Sequence, residues 1–294
     1  MADTRPQDSA AGQPAPLYLG TCSFTARGWE GSFYPKGLPS SDYLHFYSKQ
    51  FDSVEIDSTF YRVPSTNAIS SWYHRTPSHF RIAAKFPRVI THQKCLVGCR
   101  PELKEFLVAM EGLGEKLGPL LLQFPYYNRE AFDGPGPFLL RLDSFLRELP
   151  KQFLVAVEIR NKGWIQPRLA ALLRQHGVAL ALTDHAWMQR PTEVSRKVDP
   201  VTADFTYIRW LGDRHAIEEI TQTWDKVLLD RGDDLQEWIG ICRPLRQRGV
   251  TIYGYVNNHY SGHSPATVRT LLKELDGREI TQPELPKTAT LFEL

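Results

Sequence analysis

Short apolar runs recur along the chain, each ending on polar or charged residues, and most are followed by a segment with helical spacing. The runs are Leu17–Phe24, Ser53–Tyr61, Phe80–Pro87, Pro119–Pro125, Phe153–Arg160, Val178–His185, Phe205–Gly212 and Thr251–Tyr260. Several are rich in Val, Ile, Phe and Tyr and are bounded by Pro, Gly, Asn or Asp, as β-strands are. Between them, Leu103, Phe106, Leu107, Met110 and Leu113 recur at helical intervals and predict a helix over Pro101–Leu117, opened by Pro101. Pro167–His176 carries Leu169, Leu172 and Leu173 and stops at Gly177. Ser264-Pro265 opens a further helix, with Ser264 as N-cap and Pro265 at its first position. Trp187–Asp204 is irregular and Pro-containing, and reads as a long loop. Strand alternating with helix eight times predicts an α/β fold with a parallel sheet, closed into a single (β/α)8 barrel.

Parity within the strands refines this picture. Val54, Ile56, Ala84, Phe86, Leu122, Phe124, Val157, Ile159, Ile208 and Trp210 fall on one parity and are expected to face the surrounding helices. Glu55, Asp57, Lys85, Gln123, Glu158, Arg160, Asp184, Arg209, Asn257 and His259 fall on the other and are expected to point to the barrel axis. A parallel barrel gathers all its strand C-termini around one mouth, where its active site is built. So many polar groups at the axis are expensive unless they pair.

Composition adds boundaries more than chemistry. The 294 residues suit one barrel, and a hydrophobic fraction of 42% supplies its core. Residues 1–16 are polar and rich in Pro, Ala and Gln, and read as a disordered tail with no signal-peptide h-region. The barrel is expected over 17–279, with a C-terminal tail at 280–294. A net charge of +2 does not by itself announce nucleic acid, and no apolar run approaches a membrane span. Four cysteines without a secreted-protein pattern point to a reduced cytoplasmic setting. Cys95 and Cys99 form a C-x3-C pair and Cys22 ends the first strand, but the spacing is poor for zinc or iron–sulfur, and buried thiols are the better reading.

The mouth offers several chemistries. Glu55, Glu158 and Asp184 are candidate acid–base groups with Lys85, Arg160 or Arg209 as neighbouring cations; the alternative is a permanent ion network that holds the upper barrel together. A divalent metal would find Glu158 and Asp184, but Arg209 and Asn257 occupy the next two positions, and a guanidinium repels a cation. His92, His185, His215 and His259 leave only an irregular metal site conceivable. Anion binding fits better: Lys85, Arg88, Arg160, Arg209 and Arg214 lie at or beyond strand ends, and Arg suits phosphate or carboxylate. Gly212 and Gly262-His263-Ser264 stand where barrels often hold phosphate. Aromatic residues crowd the same face, among them Trp29, Tyr126, Tyr127 and Trp187, with Tyr61 and Trp164 the best placed to stack on a base or sugar.

The residues Gly20-Thr21-Cys22-Ser23-Phe24 with Trp29, Val54-Glu55-Ile56-Asp57-Ser58-Thr59-Phe60-Tyr61, Lys85-Phe86-Pro87-Arg88, Gln123-Phe124-Pro125, Glu158-Ile159-Arg160 with Trp164, Tyr207-Ile208-Arg209 and Val256-Asn257-Asn258-His259 carry a resemblance. From Leu17 to about Leu275 the chain resembles the YecE-like family, catalogued as domain of unknown function 72. The resemblance implies a TIM-like barrel and no settled reaction. Two stretches depart from the family's pattern, His259–Pro265 and the loop around Tyr126–Gly136, and both are expected at the mouth.

The preferred reading is a metal-independent barrel, without a cofactor, that binds a phosphate-bearing ligand such as DNA, RNA or a nucleotide, with phosphodiester hydrolysis left open. Arg160, Arg209 and Lys85 would hold the anion, Glu55 or Glu158 would serve as base, and Asp184 would orient Arg209 or a water. Gln123, Asn257, Asn258 and His259 would supply hydrogen bonds, and Tyr61 and Trp164 stacking surfaces. Two alternatives stay open: a metal-dependent sugar or hydroxy-acid isomerase or lyase, and a non-catalytic binding protein. The fold alone does not choose among them.

Overall fold

The structure, a computed structural model, describes residues 13–280. Eight parallel strands form one sheet: β1 Leu17–Thr21, β2 Ser53–Ile56, β3 Arg81–Lys85, β4 Leu117–Gln123, β5 Val155–Glu158, β6 Ala179–His185, β7 Phe205–Gly212 and β8 Thr251–Val256. The helices between and after them are α1 Tyr43–Tyr47, α2 Thr66–His74, α3 Arg100–Glu111, α4 Pro135–Glu148, α5 Pro167–His176, α6 Pro191–Lys197, α7 Arg214–Glu218, α8 Gly232–Gln247 and α9 Ser264–Asp276. The strand order β1-β8-β7-β6-β5-β4-β3-β2 curls the sheet into a barrel whose two free edges, β1 and β2, face each other.

Those edges are joined without a strand ladder. The buried Tyr47 hydroxyl, from α1, accepts from Thr21 N–H at 2.8 Å and donates to Ser53 O at 3.2 Å. One side chain thereby satisfies a backbone donor of β1 and a backbone acceptor of β2, which would otherwise be buried and unpaired. Gly20 permits the approach: a Cβ there would lie 1.8 Å from Ser53 O.

The inner wall alternates in size. Phe205, Tyr207, Tyr253 and Tyr255 of β7 and β8 fill the axis against Ala83, Leu121, Ala156, Ala179 and Ala181 of β3 to β6. Bulk on one side and alanine on the other is how a small barrel packs its interior. The outward set that parity predicted, from Val54 to Trp210, is buried between sheet and helices.

Several boundaries differ from expectation, mostly because the polar strand ends roll over into tight turns. The run from Ser53 leaves β2 at Ile56 and becomes a 3-10 turn over Asp57–Phe60; β8 ends at Val256, and Asn257 Oδ1 accepts His259 N–H at 3.0 Å to open another turn. The helix expected over Pro101–Leu117 stops at Glu111, and Leu117 already belongs to β4. Trp187–Asp204 is not all loop, since it contains α6. Ser264 is the first residue of α9, not an N-cap accepting from the helix: its N–H and hydroxyl both donate to Asn258 Oδ1. Most of the N-terminal tail lies outside the described residues, as do 281–294; at the tail's end, Ala15 N–H donates to Arg246 O and Pro16 O accepts from Ile252, so these residues are pinned to the barrel. No helix among the described residues is long and apolar enough to cross a membrane.

The seam is testable. Gly20→Ala should cost at least about 3 kcal/mol by overpacking against rigid backbone, and Tyr47→Phe about 1–3 kcal/mol by orphaning the Thr21 N–H, both read from urea midpoints. Wild-type midpoints for both would mean that β1 and β2 are held together by something else.

Candidate functional site

The charged groups that parity aimed at the axis meet around Arg209. From β7 its buried side chain crosses the barrel. Nη1 donates to Glu158 Oε2 on β5 at 2.9 Å and Nη2 donates to Glu55 Oε1 on β2 at 2.7 Å. The Tyr207 hydroxyl, one layer below, donates to Glu55 Oε2 at 2.6 Å. Arg160 Nε lies 2.6 Å from Glu158 Oε1 as a second ion pair. Burial would raise the Glu158 pKa, but the guanidiniums of Arg160 and Arg209 override it and hold the carboxyl at about 2. Both glutamates are sealed from solvent and fully engaged, which is the arrangement of a structural ion network.

The rim of the cluster is looser. Asp57, at the start of the turn after β2, sits 3.5 Å from Arg209 Nη2 with about 35% of its side chain exposed. Burial, with help from Glu55, raises its pKa to about 6 against the opposing pull of Arg209 and Lys85. Its inward parity alone puts it at the axis and assigns it no role. The signal was present in the sequence: Asp57 follows Glu55 by two residues and keeps its inward parity, one layer nearer solvent. Lys85, at the end of β3, lies with Nζ 4.1 Å from the centre of the Phe60 ring. The turn carrying Phe60 is fastened by Thr59, whose hydroxyl donates to Lys85 O at 2.8 Å and accepts from Lys85 N–H at 3.0 Å.

Three adjoining clefts open on this cluster. Lys85, Gln123, Arg160, His185, Arg209, Arg214, Asn257 and His259 wall the central one, of about 240 Å³. A larger one, of about 680 Å³, shares Gln123, Arg160 and His185 and adds Tyr126, Lys162, Trp187 and Met188. The third, of about 270 Å³, shares Asn257 and His259 and reaches Cys22, Trp29, Trp224 and Asn258. Burial and the Arg160 charge lower the His185 pKa, so its imidazole is neutral at neutral pH.

Some expected site residues stand elsewhere. Asp184 does not point to the axis. It follows Leu180 and Leu182 on the outer parity, where Oδ2 accepts Trp238 Nε1–H of α8 at 2.7 Å and the Tyr260 hydroxyl at 3.3 Å, while Arg190 Nη1 donates to Oδ1 at 3.2 Å. It therefore cannot orient Arg209. Trp164 is packed among Tyr127, Phe132 and Phe138 beneath the Tyr126 loop and is not among the cleft-lining residues. Tyr61 is 80% exposed beside Phe60, outside the three clefts. Asn258 is occupied structurally, its Oδ1 accepting from Trp29 Nε1 at 3.3 Å as well as from Ser264. His259 Nε2 is 3.1 Å from Glu218 Oε1, and its ring meets Trp224 edge-on. Gln123 Nε2 donates to Phe124 O at 2.8 Å.

Donor atoms of Cys22, Glu55 and Asp57 lie within 4.8 Å of one another, the spacing of a metal site. Arg209 Nη2 already sits on Glu55 and Asp57, and burial with the Glu55 charge keeps the Cys22 thiol protonated. A cation there would have to displace a guanidinium, so the residues present do not fit a resident metal.

Fold and cluster together define a TIM-like barrel protein with an ion network sealed under an open mouth. More narrowly, the chain belongs to the family described as protein of unknown function DUF72, which matches residues 18–290. It is 29% identical over 264 residues to the UPF0759 protein YecE of Escherichia coli strain K12, spanning 85% of this chain and 92% of that protein. With the UPF0759 protein YunF of Bacillus subtilis strain 168 it shares 27% identity over 157 residues, 51% of this chain and 53% of that one. A DUF72 family structure from Thermotoga maritima MSB8 superposes with a TM-score of 0.70 at 24% identity, covering 88% of this chain and 99% of that one. One from Enterococcus faecalis V583 gives 0.65 at 19% identity, covering 88% and 95%. At these identities the solved structures establish the barrel and not a reaction.

Arg209→Met should cost about 3–5 kcal/mol, because two buried carboxylates lose their common counter-charge, and the urea midpoint should fall accordingly. The pH dependence separates the carboxyls by sign. Glu158, held near 2 instead of the ordinary 4.5, contributes stability above 4.5 that is lost as pH falls through about 2. Asp57, raised from 3.8 to about 6, contributes stability below 3.8 that is lost as pH rises through about 6. Asp57→Asn should therefore remove a loss of Tm on raising the pH across that interval; an unchanged profile would show that Asp57 titrates normally.

Proposed function

We propose that the mouth binds a phosphate-bearing ligand with an attached ring, of the nucleotide class, and that Asp57 is the group placed to exchange a proton with it. The supporting observation is the largest cleft, whose wall combines Arg160 and Lys162 with Tyr126 and Trp187, 71% and 68% exposed respectively. Large aromatic side chains left in solvent beside cations make a stacking surface with an anion site attached. The anion position therefore moves outward from the expected one. Arg209 is consumed by Glu55 and Glu158, whereas Lys162 is exposed and forms no ion pair among the described residues. Asp57, at about 6 and partly exposed, can give or take a proton near neutrality. The terminal nucleotide of a single-stranded DNA or RNA satisfies the same chemistry. A cytoplasmic setting belongs to the same proposal, since all four cysteines are free thiols.

Calorimetric titration with AMP, adenosine and ribose 5-phosphate tests this reading. AMP should bind best, and Lys162→Met and Trp187→Ala should each weaken it about tenfold or more, which is about 1.4 kcal/mol. A short single-stranded oligonucleotide should bind with a steep salt dependence. Adenosine binding as well as AMP, or neither binding at all, would overturn the anion site.

A further inference from the structure

Lys85 differs from every other cation in the axial cluster. Arg209 is held by Glu55 and Glu158, and Arg160 by Glu158. Among the described residues, Lys85 Nζ makes no hydrogen bond and no ion pair; its only close partner is the face of Phe60. The side chain is only partly covered and lines the central cleft of about 240 Å³, so a small molecule can reach the nitrogen. Its surroundings are those of an activated amine. Burial and then the Arg209 charge disfavour the ammonium form and lower the Lys85 pKa, outweighing the opposing attraction of Asp57, Glu158 and Glu55. A lysine whose nitrogen makes no hydrogen bond or ion pair among the described residues, facing a cleft and near a second cation, has a lone pair available for chemistry when neutral.

We propose that Lys85 is a nucleophile that forms an imine with the carbonyl group of an aldehyde or ketone substrate, with Asp57 as its proton shuttle. The Lys85 Nζ lone pair forms the C–N bond as the carbonyl π pair moves to oxygen, which takes the proton of the Asp57 carboxylic acid. The Asp57 carboxylate then removes a proton from the new ammonium nitrogen, giving a neutral carbinolamine. The regenerated acid protonates the hydroxyl, which leaves as water while the nitrogen lone pair forms C=N. The net change consumes amine, carbonyl and one proton from Asp57, and yields a protonated imine, water and the Asp57 carboxylate. Glu55 and Glu158 are sealed beneath and cannot take this part, but they stabilise the cationic imine electrostatically.

The inference needs the mouth to be open to ligand but does not need the ligand to carry phosphate, and the two can be tested separately. The intact protein is treated at neutral pH with sodium cyanoborohydride and either glyceraldehyde or glyceraldehyde 3-phosphate, and reduced adducts are located by peptide mass mapping. Lys85 should be labelled at least tenfold more than the exposed Lys104, and Lys85→Arg, which keeps a cation but cannot form an imine, should lose that adduct while keeping the wild-type Tm. Asp57→Asn should slow labelling at Lys85 without changing that at Lys104. Preferential labelling by the phosphorylated aldehyde, reduced in Lys162→Met, would support both readings. Equal labelling of Lys85 by the two aldehydes would support the imine and remove the phosphate preference. Modification of Lys104 and other surface lysines with Lys85 untouched would overturn the imine proposal.

Discussion

The Arg209 guanidinium is the constraint on which the upper barrel depends. It starts on β7 and ends between β2 and β5, so one side chain ties together strands that share no ladder. Three features let it do so. Alanines at 83, 156 and 181 on β3, β5 and β6 leave room beside it, whereas Tyr207 and Tyr255 pack into the axis. Tyr207 also takes the second oxygen of Glu55, so that carboxylate is oriented from underneath as well as from the side. Burying a charge is unfavourable unless its partners are present, and here each sealed glutamate has one oxygen hydrogen-bonded to Arg209, while the other is hydrogen-bonded to Tyr207 in Glu55 and ion-paired with Arg160 in Glu158. The geometry of the mouth follows from that requirement.

Loops above the network are anchored to the barrel by polar contacts that face away from the axis. Asp184 gathers Trp238 of α8, Tyr260 of the turn after β8 and Arg190 at the start of α6. Arg190 in turn meets Asp234 and Glu237 of α8 at 3.0 and 2.5 Å. The segment between Asp184 and Arg190 holds Trp187 and Met188, which wall the largest cleft. Asn258 does the equivalent on the opposite side, joining Trp29 to the start of α9. Both residues looked like site residues because they stand at strand ends. Their hydrogen bonds fix the elements around the mouth.

Much of the barrel was legible because period-two alternation is a strong signal where polar and apolar residues take turns. Glu55, Lys85, Glu158 and Arg209 all sit in strands of that kind and reach the axis, and Asp57 keeps the same parity in the turn just past β2. Strand β6 is different. Ala179-Leu180-Ala181-Leu182 is apolar throughout, so alternation of polarity says nothing about which side faces in. Alternation of size does: the small alanines face the tyrosines of the interior and the leucines face the helices, which puts Asp184 outside. His185, the next residue, shares the inward parity of Ala179 and Ala181 and lines the mouth. Trp164 and Tyr61 were illegible for another reason. Both lie in loops, where a side chain's direction is set by tertiary packing that no local period records.

Depth divides the cluster into two kinds of charge. Glu55, Glu158 and Arg209 are inside and mutually compensated, both carboxylates being paired to the one guanidinium. Asp57 and Lys85 stand one layer higher, where burial is still enough to disfavour ionisation of each but neither is sealed from solvent. The sealed layer acts on the rim groups in both senses: Glu55 raises the Asp57 pKa while Arg209 lowers it, and Arg209 lowers the Lys85 pKa while Glu158 and Glu55 raise it. A sealed ion network below and a pair of perturbed groups at the rim therefore coexist in this mouth. Burial is the first cause of both shifts and the charges beneath adjust it, so Asp57 departs from an ordinary surface carboxylate and Lys85 from an ordinary ammonium.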